Sequence, residues 1–239
     1  MLVEMLVRHR FGTLLLASFL FACADSGQPE SGTRLGDAWE GQGSQARGDR
    51  LEIPADAPKV VFLGDSLSAG LHLEEDLAFP AVLQRRLAQR GLPFHLVNAG
   101  VSGDTTAGGL RRIEWILKQY PDVVVVELGA NDGLRGIDVA AIEANLRGIL
   151  KRIQESSATP VLFGMRIPPS YGLQYSNAFR EIYGRVAEDM QVTLIADWLE
   201  GVGGDPRYNL PDGLHPNERG HELLAQNIEE HLADILEGL

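Results

Sequence analysis

Four short polar and glycine-containing clusters, far apart along the chain, hold side chains that could perform acyl transfer. They are the segments 64–68, 98–104, 129–133 and 211–216. Ser66 in the first cluster is a candidate nucleophile, but a serine hydroxyl is weak unless a neighbouring base removes its proton. His215 in the last cluster is a candidate base, since neutral imidazole can take that proton near pH 7 and return it to the leaving group.

Asp212 precedes His215 by three residues and is a candidate for orienting the imidazole. A turn at Gly213 would let the Asp212 carboxylate accept a hydrogen bond from Nδ1–H and leave Nε2 facing Ser66. Pro216 disfavours helical geometry at His215, so the imidazole should sit on an extended segment before the next helix. The spacing therefore predicts a Ser66–His215–Asp212 triad.

A tetrahedral intermediate at such a site needs hydrogen-bond donors directed at its oxyanion. The candidates are the backbone N–H of Ser66, the backbone N–H of Gly103 and the side-chain amide of Asn131. Gly103 suits this role because a residue without Cβ lets its amide approach the substrate closely. We expect these three donors to form an oxyanion hole.

Acidic residues in the same clusters raise the alternative of a metal-dependent hydrolase; they are Asp65, Asp104 and Asp132. The chain contains no His-x-His pair to supply nitrogen ligands, and a serine follows the first strand, so we expect no metal. We expect Asp65 and Asp132 to brace loops through backbone N–H groups instead. The residues around Ser66 match neither the P-loop motif nor the nucleophile elbow of the α/β-hydrolases. We expect no cofactor.

The chain between the clusters alternates between short apolar runs and longer amphipathic stretches. The apolar runs predict strands at Val60–Leu63, Phe94–Asn98, Val123–Leu128, Val161–Gly164 and Val192–Ala196. The amphipathic stretches predict helices at Phe79–Arg90, Thr106–Gln119, Asp138–Ser156, Asn177–Asp189 and about Asn217–Leu236. This alternation predicts a three-layer α/β/α domain with a five-stranded, mostly parallel sheet.

Three of the polar clusters directly follow the first three predicted strands. In open α/β sheets, ligands bind beyond the carboxyl ends of the strands, where the strand order reverses. With the flavodoxin-like order 2-1-3-4-5, these three loops are neighbours at that point. We therefore expect them to form one site, with the fourth cluster placed just before the last helix.

The clusters also resemble, in order, the sequence blocks of the SGNH/GDSL hydrolases. The matching residues are Gly64-Asp65-Ser66-Leu67, Gly103, Gly129-Ala130-Asn131-Asp132 and Asp212-Gly213-Leu214-His215-Pro216. The segment Val126–Gly136 is most similar to the bacterial periplasmic thioesterase/arylesterase/lysophospholipase branch, and the resemblance covers residues 59–236. It implies a metal-free serine esterase with a shallow, mobile acyl site and the site roles given above.

We therefore expect a monomeric serine esterase whose small-molecule substrate is a medium or long acyl ester, a thioester or a lysophospholipid. Two alternatives stay open: a non-catalytic lipid- or acyl-binding lipoprotein on the same fold, and a deacetylase of carbohydrate esters. The resemblance suggests that the segment Arg166–Tyr175 flanks the acyl groove, since long connections often line binding sites. The alternative is that it is a rigid surface loop capping the sheet.

The first 23 residues are typical of an export signal. A basic patch at Arg8–Arg10 precedes the apolar run Phe11–Ala22, which is too short to span a bilayer core of ~30 Å as a helix. The residues before Cys23 resemble the bacterial lipobox, in which the cysteine is lipidated and becomes the mature N-terminus. A plain signal peptide cut nearby is the alternative. We expect an exported, periplasmic protein anchored to a bacterial membrane through Cys23.

Composition bounds the remaining organisation and the partners. Residues 24–58 are rich in glycine and polar side chains, which predicts a flexible linker before a hydrolase domain at 59–239. Lys and Arg number 21 against 33 Asp and Glu, a net charge of −12. This balance argues against a nucleic-acid partner and against adhesion to anionic lipid through a basic face. One cysteine excludes an internal disulfide framework.

Overall fold

A parallel β-sheet forms the centre of the fold in the computed structural model, which describes residues 51–239. The strands are β1 (Lys59–Gly64), β2 (His95–Asn98), β3 (Val123–Glu127), β4 (Thr159–Phe163) and β5 (Thr193–Ile195). Each neighbouring pair is parallel, in the order β2-β1-β3-β4-β5. The predicted five strands and their order are confirmed, and the sheet is wholly parallel.

Helices cover both faces of this sheet, which confirms the three-layer architecture. They are α1 (Ser66–Ala69), α2 (Phe79–Gln89), α3 (Thr106–Leu117), α4 (Ala130–Leu134), α5 (Val139–Glu155), α6 (Leu173–Met190) and α7 (Glu218–Glu237). α2 packs against α7, while α5 packs between α3 and α6. Within residues 51–239, the helices lack the combined length and hydrophobicity that crossing a bilayer requires.

The central strands are buried on both faces, and this explains their sequence. Every residue of β3 is buried, including the four consecutive valines Val123–Val126. A strand covered by helices on both sides has no solvent face, so it shows no alternation of polar and apolar residues. The polar residues of β1 and β3 therefore collect where the strands end, and that edge carries the site.

The predicted hydrolase domain, 59–239, falls within the described residues. The predicted signal peptide and lipobox, 1–23, and most of the predicted linker, 24–58, fall outside them. The last linker residues contact the domain, since the Pro58 carbonyl accepts a hydrogen bond from the His95 N–H at 2.8 Å. This bond extends the pairing of β1 and β2 by one residue.

Helix α6 begins at Leu173, four residues before the predicted start at Asn177. The first two residues of this helix, Leu173 and Gln174, are exposed, and Leu173 is 69% exposed. Apolar periodicity reports burial, so an exposed helix start gives no helical signal, and the first fully buried apolar residue of the helix is Phe179. The predicted loop Arg166–Tyr175 is correspondingly shorter, and it contains a 3₁₀ turn at Pro169–Tyr171.

Pro160 lies inside β4 rather than at the predicted join between helix and strand. The Thr159 N–H bonds the Asp122 carbonyl on the β3 side at 2.7 Å, so Pro160 faces the opposite side. There β5 begins only at Thr193, which pairs with Val161. The missing N–H of Pro160 therefore removes no ladder bond.

His221 is a helix residue, as the sequence indicates, but it is buried rather than at the surface. It is 1% exposed, and its ring stacks on the Phe79 ring at 6.2 Å with an interplanar angle of 10°. Its Nδ1 accepts the Phe79 N–H at 3.0 Å. Phe79 is the first residue of α2, whose own N-cap, Ala78, offers no side-chain acceptor. His221 therefore caps α2 from a distant part of the chain.

We expect His221→Asn to reduce the acid sensitivity of folding. Burial lowers the pKa of His221 from 6.5 to about 4. Between these values the unfolded chain binds a proton that the folded chain does not bind. The free energy of unfolding therefore decreases as the pH falls through this window, by up to about 3 kcal/mol. Asparagine keeps an acceptor for the Phe79 N–H but does not titrate. The free energy of unfolding of the variant, measured with urea, should therefore not show this decrease between pH 6.5 and about 4.

The matched control is His231→Asn, which replaces an exposed histidine of the same helix. This variant should show the acid sensitivity of the wild type. Identical pH dependence of unfolding in wild type and His221→Asn would contradict the lowered pKa of His221.

Candidate active site

Three of the four polar clusters, 64–68, 129–133 and 211–216, meet at the carboxyl edge of the sheet around one cavity of about 890 Å³. Ser66 follows β1, Asn131 follows β3, and His215 precedes α7; all three line this cavity. Residues 149 positions apart along the chain thus become neighbours. The topology produces this because β1 lies at the point where the strand order reverses.

Ser66 is the first residue of α1, a four-residue helix that turns the chain sharply after β1. Asp65 caps this helix, with Oδ1 accepting the Leu67 N–H at 3.0 Å. Gly70 ends it in the left-handed region, at a φ of 67°. Ser66 is 8% exposed, so its hydroxyl reaches the cavity while its backbone stays fixed.

Ser66, His215 and Asp212 form a hydrogen-bonded chain. The Ser66 Oγ lies 3.0 Å from Nε2 of His215, and Nδ1 of His215 lies 2.7 Å from Oδ2 of Asp212. With the proton on Nδ1, the imidazole donates to Asp212, and Nε2 accepts from the Ser66 hydroxyl. The structure thus brings the three predicted triad residues together in the predicted order.

Asp212 is held in an Asx turn that shapes the loop before α7. Its Oδ1 accepts the N–H groups of Leu214 at 2.9 Å and His215 at 3.0 Å. Gly213 has a φ of 71°, which permits this turn. The bonds from the His215 backbone and imidazole and from the Leu214 N–H hold the pKa of Asp212 far below its usual range. The carboxylate is therefore ionised at neutral pH.

The backbone of His215 is anchored separately from its side chain. Its carbonyl accepts the Leu210 N–H at 2.8 Å, and Asn209 and Pro216 form an antiparallel bridge. This short pairing keeps the segment extended up to the start of α7 at Glu218. The imidazole is therefore held on an extended segment before α7, as expected from Pro216.

Two of the three predicted oxyanion donors lie at the cavity. The Ser66 N–H has no hydrogen-bond acceptor among residues 51–239 and is free for a ligand. Asn131 donates one amide hydrogen to Oδ2 of Asp65 at 3.0 Å and keeps its second. Both donors belong to residues that line the cavity.

Gly103 occupies a different position from the other two donors. It lies on an exposed turn with a φ of 79° and does not line the cavity. Its carbonyl accepts Nη2 of Arg135 at 3.1 Å, and its N–H has no acceptor in the described part of the chain. Its participation in an oxyanion hole stays a prediction.

The predicted bracing roles of the acidic residues are confirmed. Besides capping α1, Asp65 holds Asn131. Asp132 accepts the Thr106 N–H at 2.9 Å and the Thr106 hydroxyl at 2.6 Å, which ties the loop after β3 to the start of α3. These carboxylates therefore fix the distances between loops.

Arg112 is a bracing residue that sequence reasoning missed. Its guanidinium donates to the Gly64 carbonyl at 2.9 Å, to the Ala99 carbonyl at 2.6 Å and to Asp104 at 2.8 Å. It thereby joins the ends of β1 and β2 with the loop that follows. An arginine on an amphipathic helix gives no signal of this role, because its contacts come from distant segments.

The cavity wall beyond the triad comes from two loops. Arg166–Pro168, after β4, contribute part of it, so the predicted segment Arg166–Tyr175 lines the cavity only at its beginning. Residues 197–204, after β5, contribute a further part that sequence reasoning missed. The glycines at 201, 203 and 204 are the sequence feature that could have indicated this wall segment. Apolar side chains on these walls and around the triad are Leu67, Leu134, Met165, Ile167, Leu199, Val202 and Leu214.

Comparison with known proteins identifies the family to which this chain is similar. The model of the GDSL-like lipase/acylhydrolase family matches residues 62–223. An arylesterase of Vibrio mimicus is 41% identical over 179 residues, covering 73% of this chain and 90% of that protein. The thioesterase 1/protease 1/lysophospholipase L1 of Escherichia coli is 38% identical over 183 residues, covering 76% of this chain and 86% of that protein.

A solved structure shares both the fold and the sequence similarity. The psychrotrophic esterase EstA from Pseudoalteromonas sp., inhibited by monoethylphosphonate, superposes with a TM-score of 0.72 at 33% identity. The match covers 75% of this chain and 99% of that one. These similarities confirm the resemblance seen in the sequence blocks. The chain therefore belongs to the GDSL-like lipase/acylhydrolase family, the SGNH hydrolases, and is an ester hydrolase.

Proposed function

We propose that this esterase hydrolyses acyl esters and thioesters through a Ser66–His215–Asp212 triad. The observation that carries the proposal is the continuous hydrogen-bonded chain from Ser66 Oγ through His215 to Asp212, at 3.0 and 2.7 Å. A nucleophile, a base and an orienting group in this relation are the signature of an activated serine.

Acylation follows from the positions of the protons. Nε2 of His215 takes the hydroxyl proton as Ser66 Oγ bonds to the acyl carbon, and the carbonyl π pair moves to oxygen. When the intermediate collapses, the bond to the leaving alcohol or thiol breaks and Nε2 returns the proton to it. Asp212, ionised and bonded to Nδ1–H, stabilises the imidazolium between these two steps.

Deacylation repeats the same sequence with water. Nε2 of His215 removes a proton from water, whose oxygen attacks the acyl carbon of the ester on Ser66. Collapse then breaks the bond to Ser66 Oγ, which regains its proton, and releases the carboxylic acid. Both halves develop an oxyanion, for which the Ser66 N–H and the Asn131 amide supply donors. The Gly103 N–H is the third proposed donor.

The cavity supports a medium or long acyl group as part of the substrate. Its volume of about 890 Å³ and its aliphatic walls around Met165, Ile167 and Leu199 can hold an alkyl chain away from water. Each buried methylene contributes about 0.8 kcal/mol, so a longer chain gains affinity until the cavity is full. The similarity to a thioesterase and lysophospholipase is consistent with such chains.

An acyl-length series of p-nitrophenyl esters, combined with a fluorophosphonate probe, tests the proposal. We expect kcat/KM to rise from acetyl towards medium-length chains. We also expect the probe adduct to map to Ser66 by peptide mass spectrometry. Absence of both turnover and labelling would indicate the non-catalytic acyl-binding lipoprotein. Turnover confined to acetyl esters would favour the carbohydrate-ester deacetylase.

We also propose export to the periplasm, anchoring at Cys23 and a monomeric state. The support for export and anchoring is the order of basic patch, apolar run and cysteine in residues 8–23. The support for a monomer is that one chain supplies all three triad residues. The mass of the mature N-terminal peptide would distinguish a lipidated Cys23 from a plain signal-peptide cut.

A further inference from the structure

A buried carboxyl group that the triad does not use lies beneath the nucleophile turn. Glu127, the last residue of β3, is 0% exposed. Its Oε2 accepts three hydrogen bonds: from the Asp65 N–H at 3.1 Å, the Ser68 N–H at 3.2 Å and the Ser68 hydroxyl at 2.7 Å. These donors lie directly before and two residues after Ser66, so one oxygen of Glu127 holds both sides of the turn.

Gly64 provides the space in which this carboxyl sits. A Cβ at position 64 would lie 2.5 Å from Oε2 of Glu127 and 2.0 Å from the Ser68 oxygen. Both distances are far below a van der Waals contact, so a side chain there would displace the hydrogen-bonded group. The glycine before Asp65 and the glutamate at the end of β3 therefore form one packed unit.

The second oxygen of Glu127 indicates its protonation state. As a carboxylate oxygen, Oε1 is buried with no donor among the described residues. The neighbouring carboxyl of Asp65 already accepts the Leu67 N–H on Oδ1 and the Asn131 amide on Oδ2. Two adjacent buried carboxylates repel each other. A single proton on Glu127 removes the repulsion and lets the Glu127 carboxyl donate to the Asp65 carboxylate, which lies within its hydrogen-bonding reach.

Burial supports the same placement of the proton. It raises the pKa of Glu127 well above the usual range, and the Asp65 charge raises it further. Burial raises the pKa of Asp65 only to about 6, because hydrogen bonds from Leu67, Asn131 and Glu127 and the charge of His215 oppose it. Tyr183, another titratable group nearby, is buried with a raised pKa and stays neutral. Of the two carboxyl groups, Glu127 is therefore the one that holds a proton more tightly.

We propose that Glu127, as a neutral carboxylic acid, is a positioning residue for the oxyanion hole. By donating to Asp65, it fixes the carboxylate that holds the Asn131 amide. By accepting from Asp65 and Ser68, it fixes the turn that presents the Ser66 N–H. Glu127 itself does not contact the substrate. The inference rests on the proposed function, because it assumes that Asn131 and the Ser66 N–H are oxyanion donors.

A pair of nearly isosteric substitutions tests this role. Glu127→Gln keeps an acceptor for the three bonds and supplies an N–H for Asp65, as the neutral acid does. Glu127→Met keeps the length but loses both functions. We expect Met to lower kcat by about 10- to 100-fold with little change in KM, since displaced oxyanion donors affect the transition state. Gln should recover most of that loss.

A double-mutant cycle with Asn131→Ala separates positioning from general damage. If Glu127 acts through Asn131, the Met substitution should cost much less in the Asn131→Ala background than in wild type. Wild-type kcat in Glu127→Met would overturn the proposal, and strict additivity would overturn the route through Asn131. A Gln variant as slow as the Met variant would overturn the neutral-acid assignment. Full activity of Asn131→Ala alone would instead overturn the oxyanion role within the proposed function.

Infrared spectroscopy gives a readout that needs neither turnover nor the Met variant. Near pH 8, wild type should show the carbonyl band of a protonated carboxylic acid, because Glu127 keeps its proton while exposed carboxyls have lost theirs. Glu127→Gln should lack this band. A wild-type spectrum without the band would overturn the proposal even if Glu127→Met failed to fold.

Discussion

Replacing Ser66 with alanine should lower kcat for an acyl ester by about 10⁴- to 10⁶-fold and abolish labelling by a fluorophosphonate probe. The substitution removes Ser66 Oγ, the atom proposed to bond the acyl carbon; this oxygen lies 3.0 Å from the Nε2 of His215 that accepts its proton. The Ser66 N–H and the Asn131 amide remain, so a residual rate above the uncatalysed reaction should persist. Stopped assays with long incubation would measure this residual rate.

The matched control for this substitution is Ser157→Ala. Ser157 is exposed and lies just before β4, at the end of the sheet opposite the site. It should retain wild-type turnover and labelling. Wild-type turnover in Ser66→Ala would refute the nucleophile assignment. Loss of activity with retained labelling would show that the probe reacts elsewhere.

The positions of the nucleophile and its partners could be predicted because they depend on strand ends. Apolar runs such as Val123–Val126 identify buried strands, and parallel strands place their carboxyl ends on one edge. Ser66 and Asn131 follow such runs directly, so their proximity follows from the strand order. His215 could be added because Asp212 and Pro216 constrain its local geometry.

The supporting residues could not be predicted, because their roles depend on contacts between distant segments. In the sequence, Glu127 is simply a polar residue at the end of a run of valines. Only the fold shows that it lies beneath the turn containing Ser66. His221 has the phase of an ordinary helix position, yet its Nδ1 meets the Phe79 N–H 142 residues away. The first turn of α6 at Leu173 escaped detection for the opposite reason, since exposure left no pattern.

Replacing His215 with alanine tests the contribution of the base separately from that of the nucleophile. We expect kcat to fall by about 10⁴- to 10⁶-fold, because the Ser66 hydroxyl then loses the group that accepts its proton. His221 cannot substitute for it, since its ring is buried and its Nδ1 is occupied by the Phe79 N–H. Labelling by the fluorophosphonate probe should slow by a similar factor, although Ser66 is still present.

The decisive measurement is the double variant Ser66→Ala/His215→Ala. Triad members act as one unit, so the double variant should be about as slow as either single variant. His231→Ala, which replaces an exposed histidine of α7, serves as the control and should keep wild-type rates. If the two losses multiplied, Ser66 and His215 would act independently, and the 3.0 Å contact between them would have no catalytic meaning. Non-additivity therefore tests whether the hydrogen-bonded chain, rather than either residue alone, performs the chemistry.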